Sequence, residues 1–240
     1  MKVLTLGHTG MLGNVVCDYL RGLDDTTIVT TRHRWSTDSF KTFVKNFDGD
    51  YIINCIGAIP QRTDKFEINY ELPIWLDENV DCMIIHPATD CEMDEDDYGR
   101  SKFKAGRHLA IHGTKTKQIV TSIIGHELNT NVSLLDWFLN SKEEVSGYSE
   151  CYWNGNTTLE WAKQAYKMML NWERYAKRTV ISTNCISKYE LLNIIKEVYD
   201  KDIIINENDD VKINKCLKGQ IRASSIKEQL EELKKFYINR

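Results

Sequence analysis

Apolar residues in this chain fall first into short runs and later into helical stripes. Residues 2–6, KVLTL, form a short apolar run that stops at Gly7. From Met11 to Leu23 the pattern turns helical, with Val15, Val16, Tyr19 and Leu20 on one side. A second apolar run ends at Arg32, and residues 39–47 read as a helix. Two more buried-strand candidates, 50–58 and 81–90, flank a helical stretch near 70–79. A further helix starts at Tyr98, and residues 117–125 are again strand-like. Strands alternating with helices at this spacing predict βαβ units around a parallel sheet. Uniformly apolar strands fit a sheet covered on both faces. The expectation is an α/β fold with a doubly wound parallel sheet.

Beyond about residue 128 the pattern changes. Ser/Thr-x-x-Glu start signals at Thr157–Glu160, Ser187–Glu190 and Ser225–Glu228 open three helices. Residues 178–183 read as a strand able to rejoin the main sheet, and residues 202–206 as a small one. The predicted layout is a first lobe over 1–128, which the strand near 178–184 rejoins, and a smaller, mostly helical lobe over 129–240.

The chain has 240 residues, 42% hydrophobic and 28% charged, with a net charge of −4. That balance gives no general attraction to nucleic acid or to an anionic membrane. No apolar run nears the roughly 20 residues a spanning helix needs. Glycines come too early for a signal peptide. The seven cysteines fall singly, with no CxxC pair, so the expectation is reduced thiols in a cytoplasmic protein without a structural zinc. His108 and His112 have ligand spacing, but no third ligand or metalloprotease glutamate accompanies them, and no metal is expected.

Gly7, Gly10 and Gly13 lie three apart between the first strand and the first helix. In a Rossmann-like dinucleotide-binding turn, glycines let the backbone approach a pyrophosphate, and the helix N-terminus offers unpaired N–H groups. The second strand ends TTRHR, with Arg32 and Arg34 and no acid from Val29 to Trp35. Arginine there suits a 2′-phosphate, which favours NADPH, with NADH still open.

Tyr98 and Lys102 share a helix face one turn apart, at the start of the helix after the fourth strand. Strand carboxyl ends are where such sheets bind ligands. A cation near the phenol would pull its pKa toward the working range, so that it could deliver a proton to a carbonyl oxygen. Thr89, at the end of the preceding strand, could bond the same oxygen.

These elements resemble the extended short-chain dehydrogenase/reductases, and within them the dTDP-4-dehydrorhamnose reductase group. The resemblance is carried by GHTGMLG (7–13), YIINCIGAI (51–59), INYELP (68–73), IIHPATD (84–90), YGRSK (98–102) and TSIIGHE (121–127), then by GYSECYWNGNTTLE (147–160) and ISKYELL (186–192). It implies an NADPH-dependent reductase of a nucleotide-linked 4-keto-6-deoxy sugar, in deoxysugar or polysaccharide biosynthesis. Thr89, Tyr98 and Lys102 would be the catalytic trio. Gly7, Thr9, Gly10, Met11, Leu12 and Gly13 would hold the pyrophosphate. Arg32, Arg34, Cys55, Ile56, Gly57, Asn69 and Ile123 would line the rest of the cofactor, together with Tyr98 and Lys102. Thr89, His126, Trp153, Asn154 and Thr158 would meet the sugar nucleotide. Epimerisation or dehydration of a nucleotide sugar on the same scaffold, and a non-catalytic NADP-binding regulatory subunit, stay open, as does a homodimer. The chain also departs from the group. Ala88 and Glu92-Met93 replace a usual Ser and Val-Phe, and Val120 stands where an arginine is common. The connection from Cys91 to Asp97 is markedly shorter, and its acids 94–97 are expected to face solvent.

Overall fold

The structure, a computed structural model, describes residues 1–238. Contacts divide the chain into two units: Met1–Val120 with Ala162–Thr179, and Thr121–Trp161 with Val180–Arg240.

The first unit is built on β1 (Lys2–Leu6), β2 (Thr27–Thr30), β3 (Tyr51–Asn54), β4 (Met83–Ala88) and β5 (Thr116–Val120). They run in the order β5-β4-β3-β1-β2, every pairing parallel. The helices between them are α1 (Met11–Arg21), α2 (Asp38–Lys45), α3 (Ile68–Asn79) and α4 (Asp97–Ile111). A 3₁₀ turn, Asp90–Met93, precedes α4.

Strand alternation decides what each helix covers. Leu4, Leu6, Ile52 and Ile84 share a core with Phe40 and Val44 of α2 and Leu72 and Leu76 of α3. Each is fully buried, which contributes roughly 1.5–3 kcal/mol per side chain. Val3, Ile53 and Ile85 alternate to the other face, equally buried. The returning segment 162–179 packs in this unit through Tyr51, whose hydroxyl donates to the Met169 carbonyl at 2.8 Å, and through an edge-on Tyr19–Tyr166 ring pair. The apolar runs called strands are shorter than the sequence implied. Residues 55–58 and 89–90 leave the sheet, and those exits carry the candidate chemistry.

The second unit contains β6 (Ile123–Ile124), α5 (Leu134–Asn140), β7 (Glu144–Tyr148), β8 (Cys151–Trp153), β9 (Asn156–Thr157), and the start of α6 (Thr158–Leu170), which continues into the first unit. The strand β10 (Arg178–Ser182) begins in the first unit, where the Gln118 amide donates to the Lys177 carbonyl, and ends in the second. There follow β11 (Ile186–Ser187), α7 (Lys188–Val198), β12 (Ile204–Asn208), β13 (Ile213–Asn214), β14 (Ile221–Arg222) and α8 (Ile226–Ile238). Its short strands pair as β7 with β12, β6 with β9, β10 with β14, and β8 with both β11 and β13. Most are too brief for periodicity to mark.

The start signals behave as their chemistry requires. Ser187 and Glu190 form a reciprocal capping box, Ser225 and Glu228 exchange the same bonds, and Thr157 accepts from the Glu160 amide.

One expectation fails. Cys185 and Cys216 are disulfide-bonded, not separate thiols. Asn154 accounts for their meeting: it bonds Leu217 through both ends of its amide, and its carbonyl accepts from Thr183. The two cysteine-bearing loops are thereby drawn onto one residue. No described helix is long and apolar enough to cross a membrane.

Candidate active site

The glycine turn is the first of three strand exits in the first unit. Gly7 has φ +77°, a left-handed conformation that side chains rarely adopt. A Cβ on Gly13 would lie 2.1 Å from the Gly7 carbonyl oxygen, and one on Gly7 would lie 2.9 Å from the Cys55 backbone. The turn is closed by the Gly10 amide donating to the Gly7 carbonyl at 2.9 Å. Gly10 N-caps α1 without a side-chain bond, so no cap covers the first-turn N–H groups. Bare N–H groups beside a side-chain-free turn have the chemistry to hold a phosphate, so the residues present fit a dinucleotide. Thr9 is exposed, and Met11 and Leu12 open α1. Arg32 and Arg34 are exposed just past β2. The charge of Arg32 reaches the turn: burial first, then Arg32 and Arg21, lowers the pKa of His8.

The second exit follows β3. Cys55, Ile56 and Gly57 form a loop tied by Asn69, which is buried and fully engaged. Its Oδ1 accepts from the Ala58 amide (2.7 Å), and its Nδ2 donates to the Ala58 carbonyl (3.0 Å) and the Ser101 hydroxyl (3.1 Å). Ser101 in turn donates to the Tyr98 carbonyl at 2.7 Å. Asn69 thus fastens the loop to the first turn of α4. At Gly57, an added Cβ would be only 3.6 Å from the Lys102 ammonium.

The third exit follows β4. The Thr89 hydroxyl donates to Asp90 at 2.9 Å and accepts from the Cys91 amide, and it lies near enough to the Tyr98 phenol to lower that group's pKa. Asp96 N-caps α4 through the Gly99 amide at 2.6 Å. Glu95, Asp96 and Asp97 are exposed and Asp94 is half-buried. The Tyr98 ring packs edge-on against Phe66, 5.7 Å between centroids.

The electrostatics differ from the sequence expectation. Tyr98 is held well above the ordinary tyrosine value, chiefly by burial and then by Cys91, Asp90 and Asp96, with Thr89 opposing. Lys102 does not pull it down. Burial instead lowers Lys102 itself to about 8, while Glu92 and Cys91 act to raise it. The physical reason is dryness: an ammonium taken out of water loses its own hydration before it can stabilise a neighbour. Tyr98 is therefore a fully protonated acid at neutral pH, and Lys102 is a cation close to its titration point.

Several groups escaped the sequence reading. Asn54 and His86 are buried and paired at 3.2 Å, and burial, Lys102 and Arg178 hold His86 neutral. Arg178 pairs with Glu92 (2.8 Å) and Gln118 (2.8 Å). None of these has a local motif, since each partner is distant in sequence. His108 and His112 stack on each other at 5.0 Å.

In the second unit, Ile123 lies in β6. Both His126 ring nitrogens are engaged, one with Asp136 (2.7 Å) and one with the Tyr199 hydroxyl (3.0 Å), and its ring packs against Tyr237. Trp153, Asn154 and Thr158 are buried. Thr158 fills the space beside Gly125, and the Asn154 amide is spent on Leu217.

No protein-family model and no curated protein matches the chain. Solved structures match its fold from end to end. A dTDP-4-dehydrorhamnose reductase from Clostridium acetobutylicum is 18% identical, with a TM-score of 0.76 over 99% of this chain and 100% of that one. The same enzyme from Bacillus anthracis, in complex with NADP, is 14% identical, with a TM-score of 0.74 over 100% and 99%. A UDP-N-acetylglucosamine 4-epimerase from Bacillus cereus is 16% identical, with a TM-score of 0.72 over 97% and 95%. The chain has the fold shared by these nucleotide-sugar enzymes, in agreement with the resemblance read from its motifs.

Proposed function

We propose that the chain is an NADPH-dependent reductase of a nucleotide-linked 4-keto-6-deoxy sugar, with Tyr98 as its acid. The observation that carries this is the placement of Tyr98 and Thr89 together at the exit of β4, with Ser101 and Asn69 linking the Tyr98 backbone to the loop whose Gly57 leaves room beside the Lys102 ammonium. The glycine turn and the 55–57 loop would hold the cofactor, whose chemistry there would be hydride donation to the sugar carbonyl carbon.

The chain's own residues do the rest. Tyr98 holds a proton at neutral pH and gives it to the carbonyl oxygen as charge develops there. Thr89, at the exit of β4, orients that oxygen. Lys102, whose ammonium lies beside Gly57, would anchor the ribose next to the nicotinamide. Arg32 and Arg34 select the 2′-phosphate. NADP in the B. anthracis complex supports that choice.

Consumption of NADPH with a panel of dTDP-, UDP- and GDP-linked 4-keto sugars tests the reading. Thermal-shift titration with NADPH and NADH tests the arginines, whose joint replacement by alanine should lower the NADPH preference by roughly tenfold or more. Conversion of substrate without net NADPH oxidation would instead identify an epimerase. Cofactor binding with no turnover, indifferent to Tyr98→Phe, would identify a regulatory subunit.

A further inference from the structure

We infer that Glu92, clamped by Arg178 one turn along the same face of α4, is the positioning counter-charge for the buried Lys102 ammonium. This rests on the reductase reading only for the purpose Lys102 serves; the geometry stands by itself.

Gly99, Lys102 and Gly106 fall on one face of α4, spaced three and four apart. That face lies directly on the turn Asp90–Met93. A Cβ on Gly99 would be 2.6 Å from the Cys91 carbonyl oxygen and 2.5 Å from that of Asp94. One on Gly106 would be 2.5 Å from the Arg178 guanidinium and 2.8 Å from the Glu92 carboxylate. The two glycines that flank Lys102 therefore permit the contact, and the ion pair sits one turn beyond the lysine on the same face. Arg178 is fixed from three sides: by both Glu92 oxygens, at 2.8 and 3.5 Å, and by Gln118, which donates its own amide to the Gly106 carbonyl at 3.2 Å.

The charged and titratable groups around Lys102 can be named by element. Cys91 and Glu92 act on it from the turn, His86 of β4 feels both it and Arg178 at the start of β10, and Tyr98 stands one turn earlier on α4 with Asp90 of the turn acting on it. His86 and Tyr98 are neutral at pH 7, because burial leads both of their shifts away from the charged form. Of the groups that act on Lys102, Glu92 is the carboxylate, and it faces two cations. A buried cluster with two cations and one anion tolerates the second cation because the anion attracts both; without it, the Lys102 proton would be held less firmly. Glu92 is also one of the positions where the chain departs from the group it resembles, so this device belongs to this sequence.

The decisive measurement is a titration of the lysine ε-carbon by ¹³C NMR on the full-length protein, with the Lys102 resonance assigned by its loss in Lys102→Met. The midpoint should lie near 8 in the parent chain. Glu92→Gln should lower it by at least about one pH unit, a tenfold change in the dissociation constant, and Arg178→Gln should raise it. Glu92→Asp should restore most of the parent value. The double change Glu92→Gln/Arg178→Gln, which removes both charges and keeps a hydrogen-bonding pair, should sit between the single variants and serves if either fails to fold. The alkaline fall of NADPH affinity should move with the midpoint in each variant. A midpoint indifferent to Glu92→Gln, or both single variants moving it the same way, overturns the inference. Opposite shifts in a protein that never oxidises NADPH would leave the positioning intact and remove the reductase reading instead.

Discussion

After β1 the chain reaches its helix through residues 7–10, and after β4 through residues 89–96. The first connection works with backbone. Glycines remove side chains so that amides can face a phosphate, and its tolerances are steric. The second works with side chains: Thr89 bonds Asp90, Asp96 caps the helix, and Glu92 reaches under α4 to Arg178. Its tolerances are electrostatic. One sheet therefore presents a rigid, sequence-local binding device beside a charge-balanced one assembled from distant segments. Substitutions in the two should fail in different ways.

The largest expected effect is at Tyr98. Tyr98→Phe removes only the phenol oxygen and leaves the ring packed on Phe66. Turnover should fall roughly 10²–10⁴-fold, about 3–5 kcal/mol of barrier, with NADPH affinity and thermal stability close to those of the parent. Steady-state rates beside a cofactor titration measure both. Retained turnover would show that proton delivery lies elsewhere.

Gly13→Ala should fail in the opposite sense. The new methyl group would meet the Gly7 carbonyl at 2.1 Å, and a backbone oxygen cannot swing away as a side chain can. We expect a loss of roughly 3 kcal/mol in stability, with weaker NADPH binding that Tyr98→Phe does not show. Denaturant unfolding and a fluorescence titration would report the pair. An unchanged midpoint and affinity would mean that the turn is looser than its contacts imply.

Lys102 brings a sign that neither of these has. Its pKa is lowered from 10.5 to about 8 in the fold. Between those values the unfolded chain binds more protons, so stability rises with pH across that window and the full penalty applies below it. Lys102→Met should consequently be more stable than the parent near pH 7, by on the order of 2 kcal/mol, while losing turnover. The gap should close as pH climbs from about 8 toward 10. Cys55, Cys82 and Tyr98 have raised pKa values, chiefly through burial, and titrate in both proteins, so only the difference between the two proteins isolates the lysine. A gap that ignores pH would rule out a buried, strained ammonium.

What could be read from the sequence follows the same division. Strand–helix alternation and the glycine spacing are local signals, so the parallel sheet and the cradle were visible in them. Tyr98 and Lys102 were visible as a spacing, because one helical turn fixes their common face. Their electrostatics were not visible. The depressed lysine and the elevated phenol depend on burial and on Glu92, which meets its partner 86 residues further along the chain. The disulfide escaped for a similar reason: Asn154 gathers Thr183 and Leu217, and no cysteine spacing records that. His126 illustrates the converse. A polar residue following a strand reads as available, yet Asp136 and Tyr199 occupy both its nitrogens.

The smallest effect tests whether the side-chain-built turn depends on its helix start. Asp96 accepts the Gly99 amide at 2.6 Å and so fixes the first turn of α4, where Tyr98 stands. Asp96→Ala removes the cap and should cost about 1 kcal/mol of stability. Asp96→Asn keeps a capping oxygen and should stay within a few tenths of a kilocalorie of the parent. The two variants then separate cap from charge, since Asp96 is among the groups that raise the Tyr98 pKa. With the cap kept and the charge gone, the phenol should ionise at a slightly lower pH, visible as an earlier rise of phenolate absorbance against a Tyr98→Phe baseline. Turnover should drop severalfold in Asp96→Ala, from a loosened Tyr98, and hold steady in Asp96→Asn. Equal losses in both would mean that the carboxylate acts on the reacting groups through its charge, and the acid run at 94–97 would have to be counted as part of the chemistry.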